Sequence, residues 1–328
     1  MIRHESAVRR TLPLAAALLF LSAASSRAQE RGEGLASMTN PGDGARYALT
    51  LVPAVHDAPS MVRQEAGGSK IVLQDGSDTW TVNGRASELE LSRSPVVAGT
   101  GLVVPAKLWN LQGGGTFFRK NGERKNWGVQ LGLGSASNLP FHSLRETEVR
   151  ATAHREFPSR ARDSWMLFLA YSNNRSFANN IPFPGAAYVF REPLPGLEAT
   201  IGLPFMSASY KPNEDWRASF SLFGPTNVSL QGDRRLVSET WAYARWERNP
   251  SQWLRADRAQ RTDRLVYDQQ EVRAGVRTKF ENGFSVDASL GRDFNRRFYE
   301  SRDANRSSVP KAELADAWSL ALRLSWRR

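Results

Sequence analysis

The chain has 328 residues, a formal net charge of +11 and no cysteine, and 41% of its residues are hydrophobic. The absence of cysteine excludes disulfides, thiolate metal sites and thiol nucleophiles. A mean hydropathy of −0.47 excludes a bundle of long apolar membrane helices. Neither value excludes a membrane β-barrel, in which only alternate residues of each strand are apolar.

The N-terminus has the pattern of a secretory signal peptide. Three arginines lie within the first ten residues, ahead of an apolar run from Thr11 to Ala24 and a small-residue cleavage site at Ser26 to Ala28. The apolar run is shorter than the roughly 20 residues that a spanning helix needs, which disfavours the alternative of a membrane anchor. We therefore predict a cleaved signal peptide over 1–28, a flexible segment over 29–44 and one exported domain over 45–328.

Apolar and polar residues alternate through most of that domain. The period of two is clear in WGVQLGLG (127–134), WRASFSLF (216–223) and FSVDASL (284–290), and it predicts strands with one apolar and one polar face. Asn282-Gly283 and Asn83-Gly84 each lie between two such runs, and Asn-Gly favours the two-residue turn of a hairpin. The fold class is therefore all-β and antiparallel.

The length of the runs distinguishes a membrane barrel from a soluble β-domain. The runs 265–280 and 283–294 exceed the average strand of about 5 to 6 residues. In the closing AWSLALRLSWRR, Trp318 and Trp326 share one face and lie about 19 Å apart in height if the strand is tilted by about 45°, which predicts a lipid-facing aromatic girdle. We expect a single transmembrane β-barrel of about 12 strands (range 8–14), at about 25 residues per strand. A soluble exported domain that binds glycan remains an alternative.

The polar face of the C-terminal strands predicts what the barrel encloses. Gln269, Glu271, Arg273 and Arg277 share one face of their run, and Arg323 lies on the face opposite Trp318 and Trp326. We predict that these five residues line a narrow polar lumen. This favours a barrel of structural or passive-transport type.

Two arginine-dense stretches, 249–264 and 296–308, become outward loops if the C-terminus is periplasmic. Guanidinium groups bind phosphate in a bidentate manner. Contacts with outer-membrane lipid or lipopolysaccharide are therefore predicted, with a solvated basic rim as the alternative, for Arg255, Arg258, Arg261, Arg296 and Arg297. The barrel-insertion machinery is the other expected partner; nucleic acid is not expected, and the oligomeric state stays open.

Motifs of catalysis are sparse. An acyl hydrolase of the outer membrane would need a His, a Ser and a carboxylate within hydrogen-bond reach, and the histidines to consider are His142 and His154. The adjacent His142 and Ser143 would point to opposite faces of a strand. The sequence GGGT at 113–116 lacks the Gly-Lys-Ser/Thr of a phosphate loop and predicts a turn between strands. We expect no catalytic residue, cofactor or metal, and keep the acyl hydrolase as an alternative.

The segment from Ile181 to Trp216 has a proline-glycine approach, an aromatic strand, a Gly-x-Pro strand and a turn that ends in Trp. These elements are Pro184-Gly185, Tyr188, Gly202-Leu203-Pro204, Tyr210, Pro212 and Trp216. In this pattern the chain resembles a family of bacterial outer-membrane β-barrel proteins of unknown function, from about Glu88 to the C-terminus. The resemblance implies fold and location only. The chain departs from it by ending in two arginines after Trp326, where such barrels usually end on an aromatic residue.

Overall fold

A computed structural model describes residues 43–122, 125–160, 162–175, 178–302 and 309–327. The predicted signal peptide over 1–28 and nearly all of the segment 29–44 lie outside the described residues. Within them, no helix is long and apolar enough to cross a membrane. The strands are β1 (Gly44–Val52), β2 (Met61–Asp75), β3 (Asp78–Leu91), β4 (Val96–Val97), β5 (Leu102–Val103), β6 (Lys107–Arg119), β7 (Trp127–Ser137), β8 (Thr147–Pro158), β9 (Ser164–Ser172), β10 (Phe183–Arg191), β11 (Leu197–Leu203), β12 (Phe205–Tyr210), β13 (Trp216–Phe223), β14 (Asn227–Val237), β15 (Thr240–Arg248), β16 (Ser251–Trp253), β17 (Arg264–Lys279), β18 (Phe284–Ser301), β19 (Ala312–Leu314) and β20 (Ala317–Arg327).

Sixteen of these strands form one closed antiparallel barrel in chain order. Closure is made by the first and last strands, β1 and β20, which pair from Gly44 opposite Arg327 to Leu51 opposite Leu320. The short strands β16 and β19 add to one end of β17 and β18, and β4 pairs with β5 in a separate hairpin. A closed cylinder pairs the backbone groups that an open sheet would leave at its edges.

The predicted count of about 12 strands, with a range of 8–14, is wrong. Sixteen strands lie within residues 44–327, which is about 18 residues per strand. The estimate failed because β10 to β13 contain only 6 to 9 residues each, and because some connections, such as 76–77 and 238–239, have two residues. Sixteen strands can enclose an aqueous channel, so any narrowing must come from what fills the interior.

The two ends of the barrel differ. We call the end that holds Gly44 and Arg327 the lower end; its connections have 2 to 7 residues. At the opposite, upper end the connections reach 15 residues, as in 92–106 and 249–263. The predicted placement of the 249–264 stretch in a loop opposite the C-terminus agrees with this arrangement.

The turn predictions were right in one place and wrong in two. Asn282-Gly283 does lie between β17 and β18, but the connection 280–283 has four residues rather than the predicted two, and of the pair only Gly283 has a positive φ, of 80°. Asn83-Gly84 instead lies inside β3, which is preceded by a turn around Gly76, and GGGT lies inside β6. Glycine has a different use in β6, because a Cβ on Gly114 would overlap the carbonyl oxygen of Leu131 on β7.

The barrel wall is uneven in height. We define the tall wall as β17, β18, β20, β1, β2 and β3, which includes strands of 14 to 18 residues. The short wall is β10 to β13. In the tall wall, a bulge at Asn295, with a φ of 52°, reverses the inward and outward faces of β18 above that residue.

Candidate functional site

The outward face of the barrel is apolar. On β20, Leu320 and Leu322 are 59% and 40% exposed, while the inward Ser319 is 1% exposed. Leu131 and Leu133 are equally exposed on β7. Large exposed aliphatic side chains at alternate positions need an apolar surrounding, because water would otherwise cover this area at a cost of about 25 cal/mol per Å².

Aromatic side chains form a band around the outside of the lower end. Successive strands contribute Trp80, Phe117, Trp127, Phe157, Trp165, Tyr188, Phe190, Tyr210, Trp216, Phe280, Phe284 and Trp326. Neighbouring rings touch, with centroids 4.6 Å apart for Trp80 and Phe117 and 4.9 Å apart for Phe117 and Trp127. Amphipathic rings in such a belt are typical of a membrane–water interface.

Arginines lie against this belt. The guanidinium of Arg119 is 5.7 Å from the ring centroid of Phe117, and that of Arg234 is 5.2 Å from Trp216. At the upper end, Arg292 is 5.8 Å from Trp318. Trp318 and Trp326, the predicted girdle residues, therefore project outward from opposite ends of the apolar face of β20.

Inside the barrel, charged side chains of adjacent strands form a connected network. Arg273 donates to Glu271 at 2.6 Å and to Ser319 at 2.9 Å, and Glu271 also accepts from Arg245 at 3.2 Å. Tyr243 donates to Asp287 at 2.8 Å, and Asp287 lies opposite Arg323 in the strand register. All these side chains point inward, because the strand register places them on the face opposite the leucines.

Two spaces that share Ala48, Arg245 and Arg323 in their linings remain beside this network. The narrower one, about 50 Å³, is lined by Gln269, Glu271 and Arg273 among others. The wider one, about 340 Å³, lies toward the lower end and is lined by Arg277 and Arg323 among others. We call it the lower cavity. The structure thus places all five predicted lumen residues on the inner face.

Sequence reasoning did not find several residues of the lower cavity. Arg217, Gln231, Asp233 and Arg245 come from β13 to β15, and Arg46 comes from β1. The signal was present, since Arg217 and Asp233 are the polar members of alternating runs. Their proximity depends on barrel closure, which no local pattern reveals.

The upper mouth is crossed by residues 249–263, which we call the strap. The strap leaves β15 and enters β17, yet Leu254 N donates to Ala136 O of β7 at 2.7 Å, and Ala256 N donates to Asn138 Oδ1 at 3.0 Å. In the strand order β7 is seven strands from β17 and eight from β15, so it lies almost diametrically across a sixteen-stranded barrel.

Beneath the strap, an apolar cluster fills the upper end along the tall wall. Trp253 of the strap packs with Val97 and Val104 of the 92–106 connection and with the inward Leu265 and Phe298. Each of these side chains is nearly inaccessible to solvent. A path through the barrel therefore has to pass beside the cluster, where Pro250 and Gln252 of the strap face Arg150 and Arg175 across a space of about 80 Å³.

Three of the arginines predicted to contact anionic lipid are buried. Arg258 pairs with Glu146 at 3.7 Å, each with 1% of its side chain exposed. Arg255 pairs with Glu300 at 3.3 Å, and Arg296 donates to the Tyr267 hydroxyl at 3.1 Å inside the barrel. Their placement does not fit a lipid contact, because the strap folds inward and the β18 bulge turns Arg296 to the inner face.

The other two arginines stay near the surface. Arg261 is exposed on the strap, and Arg297 projects outward from β18. Arg297 donates to Asp268 at 2.7 Å, and Asp268 accepts from Arg248 at 2.9 Å. This outward trio has one carboxylate for two guanidinium groups.

The residues considered for hydrolysis do not come together. His142 is exposed, and Ser143 Oγ donates to Glu146 at 2.7 Å. His154 is buried inside β8 beside Phe118, and neither of its ring nitrogens has a partner within the described residues. The same residues contain no group of three or more His, Asp or Glu side chains placed to hold a metal ion.

No family model and no curated protein sequence matches the chain. Among solved structures it is similar to outer-membrane expressed OmpT of Vibrio cholerae, at 10% identity and a TM-score of 0.34, with 87% of this chain and 96% of that chain covered. It is also similar to the Pseudomonas putida toluene transporter TodX, at 9% identity and a TM-score of 0.35, with 93% and 95% covered. A mutant of the Rh. blastica porin gives 11% identity and a TM-score of 0.33, with 88% and 99% covered. All three scores are below 0.5, and the sixteen-stranded closure rests on this chain's own strand pairing.

Proposed function

We propose that this chain is an outer-membrane β-barrel that passes small polar solutes without covalent chemistry. One observation carries the proposal: a closed barrel has an apolar outer face bounded by aromatic residues and a charged inner face that encloses a cavity of about 340 Å³. Resemblance to the family of outer-membrane barrels of unknown function is consistent with this assignment. The lower end, with its short connections, would face the periplasm.

The strap and the apolar cluster narrow the proposed path through the barrel. They occupy the upper end along the tall wall, and the path that we propose passes on the side of Arg150 and Arg175, where the described residues leave a space of about 80 Å³. A barrel of sixteen strands could hold a wide pore. Here the inward arginines and the strap reduce it, so the expected conductance is low for this strand number.

Two measurements test the proposal. The mature protein should require detergent for extraction and should migrate differently on a gel with and without boiling, and a freely soluble, unshifted protein would instead favour the exported glycan-binding domain. In planar bilayers the wild type should conduct weakly, and replacing strap residues 251–262 with a short Gly-Ser linker should raise the conductance several-fold. A folded barrel that never conducts, with or without the strap, would leave only a structural role.

A further inference from the structure

The lower cavity carries an excess of positive charge. Its lining includes five arginines but only two carboxylates, Glu65 and Asp233. The arginines are Arg46, Arg217, Arg245, Arg277 and Arg323. Some of this charge is balanced from above, since Arg245 also pairs with Glu247 and Glu271 and Arg323 lies opposite Asp287.

The carboxylate nearest the remaining arginines is already engaged. Asp233 accepts from Arg277 at 2.9 Å and from Gln231 at 2.8 Å, and only 3% of its side chain is exposed. Glu65 is likewise buried, and it is 3.8 Å from Arg85 on the neighbouring strand. The cavity therefore has little spare negative charge with which to neutralise another guanidinium.

Arg217 is the arginine of this cavity that no described carboxylate pairs with. It is opposite Asp233 in the strand register, but it has no hydrogen-bond or ion-pair partner among the described residues. Its contact is with the ring of Trp241, whose centroid is 5.5 Å from the guanidinium carbon. Stacking on an aromatic ring holds the guanidinium plane in place and leaves its edge donors directed elsewhere.

A second donor is also without a partner. Arg277 Nε is buried and makes no hydrogen bond within the described residues, although Nη2 of the same side chain binds Asp233. Buried donors of a charged group are costly to leave unsatisfied. An oxyanion in the cavity would accept hydrogen bonds from such donors and would also neutralise part of the excess positive charge.

We infer that the lower cavity binds a small oxyanion, a phosphate or a carboxylate, with Arg217 as its principal ligand. This inference rests on the proposed transport function, because the cavity belongs to the same path, and it names the class of solute: small anions that carry oxygen acceptors. Guanidinium groups bind both kinds of oxyanion in a bidentate manner. The volume of about 340 Å³ admits a small organic anion with its water, not a large glycan.

The test combines binding with conductance. Isothermal titration of the detergent-folded barrel with inorganic phosphate, and separately with acetate, measures binding without requiring transport. Reversal potentials in a potassium chloride gradient measure selectivity. Arg217→Gln should weaken oxyanion binding at least about tenfold and abolish anion preference. Arg234→Gln is the matched control, since Arg234 lies one strand away on the outer face, against Trp216.

The outcomes separate the two proposals. Binding of phosphate, acetate or both that is lost in R217Q and kept in R234Q supports the inference. Binding of one anion alone assigns the site to that class, and binding of both makes it a general oxyanion site. A conducting barrel without anion preference or titration heat overturns the inference and leaves passive transport standing. Oxyanion binding in a barrel that does not conduct supports the site and overturns transport. A heat-shifted gel band for both variants establishes that each is folded.

Discussion

The tall and short walls carry different side chains on their inner faces. On the inner face of the tall wall and its neighbour β15, charged residues are hydrogen-bonded across strands, as in Arg245 with Glu271 and Arg273 with Ser319. At the upper end of the short wall and of its neighbour β9, the inner face is apolar, with Phe168 and Phe205 packed at a centroid distance of 5.4 Å, whereas lower down β13 contributes Arg217 and Ser219 to the lower cavity. The apolar part of the short wall is therefore confined to its upper end, and both walls contribute polar residues to the lower cavity.

The tall and short walls also differ in height. β18 has 18 residues and extends above the apolar band, where the Asp268 trio forms its outer surface, whereas β12 has 6 residues. At about 3.3 Å per residue, 6 residues tilted by about 45° cover about 14 Å, less than an apolar band of about 25 Å. In the membrane that we propose for this barrel, the short wall would require a thinner bilayer around it.

The largest effect is expected where the strap is held over the lumen. Arg258→Met leaves Glu146 buried without its cation and removes donors to the carbonyls of Arg145 and Arg261. Breaking a buried pair costs about 3–5 kcal/mol. Burial already lowers the pKa of Arg258 while Glu146 opposes that shift, which shows how closely the two depend on each other.

Hydrogen exchange measures this effect. The Leu254 amide, which bonds across the mouth to Ala136, should exchange faster by about two to three orders of magnitude in R258M. Arg261→Met, an exposed change on the same strap, is the control and should leave exchange unaltered. Unchanged protection of Leu254 in R258M would mean that the strap is held by its apolar contacts alone.

The next effect compares the outer faces of the two walls. Leu322→Arg places a charge near the middle of β20 and should reduce the free energy of unfolding by about 2–4 kcal/mol. Ile201→Arg on the seven-residue β11 is the matched change, and its cost should be smaller because a shorter strand keeps each residue nearer the membrane surface. Denaturant titration in lipid vesicles measures both, and Leu322→Ala corrects for lost apolar area. Equal costs for the two arginines would contradict the difference in height.

How much the sequence predicted also divides between the walls. In the tall wall, long alternating runs with charged inner rows led to the strands, to the outward Trp318 and to the inward Arg273. In the short wall, Pro184, Gly185, Gly202 and Pro204 interrupt the alternation, and the strands have only 6 to 9 residues. The assumed spacing of about 25 residues per strand did not allow for such short strands, so the count of about 12 was too low. Local patterns reveal which face a residue occupies, but they do not reveal strand number.

The sequence predicted some residues of the lower cavity but not the contacts among them. Arg277 and Arg323 were placed in the lumen from periodicity alone, and the structure puts both on the lower cavity. Arg217 was missed because its importance comes from Asp233 being occupied by Arg277, which lies 60 residues along the chain from Arg217. The buried Arg258 was assigned to lipid because an arginine-rich stretch gives no sign that it folds inward.

The short wall contains a tight contact that can be tested by a substitution that adds one methyl group. The Phe168 ring covers Gly185 on the next strand, so that a Cβ at position 185 would overlap it. Gly185→Ala should reduce stability by about 1–3 kcal/mol through overpacking. Phe168→Leu should recover part of the loss in the double variant, because it removes the atoms that clash. Additive losses in that double-mutant cycle would show that the ring moves aside.

The smallest effect concerns the lipid contact that was expected of the outward arginines. Arg297 and Arg248 share Asp268, whose side chain is 3% exposed. Because Arg248 keeps this carboxylate paired when Arg297 is replaced, Arg297→Gln should reduce the free energy of unfolding by only about 1 kcal/mol. If the spare positive charge of this trio and the exposed Arg261 of the strap contact phosphates of lipopolysaccharide, R297Q and R261Q should each weaken binding to lipopolysaccharide micelles a few-fold. Arg119→Gln at the lower belt should not. The effect should also shrink at high salt, since these groups are exposed. Equal binding by all three variants would assign Arg261 and Arg297 to a solvated rim, and the contrast between the walls would then reside in the lumen alone.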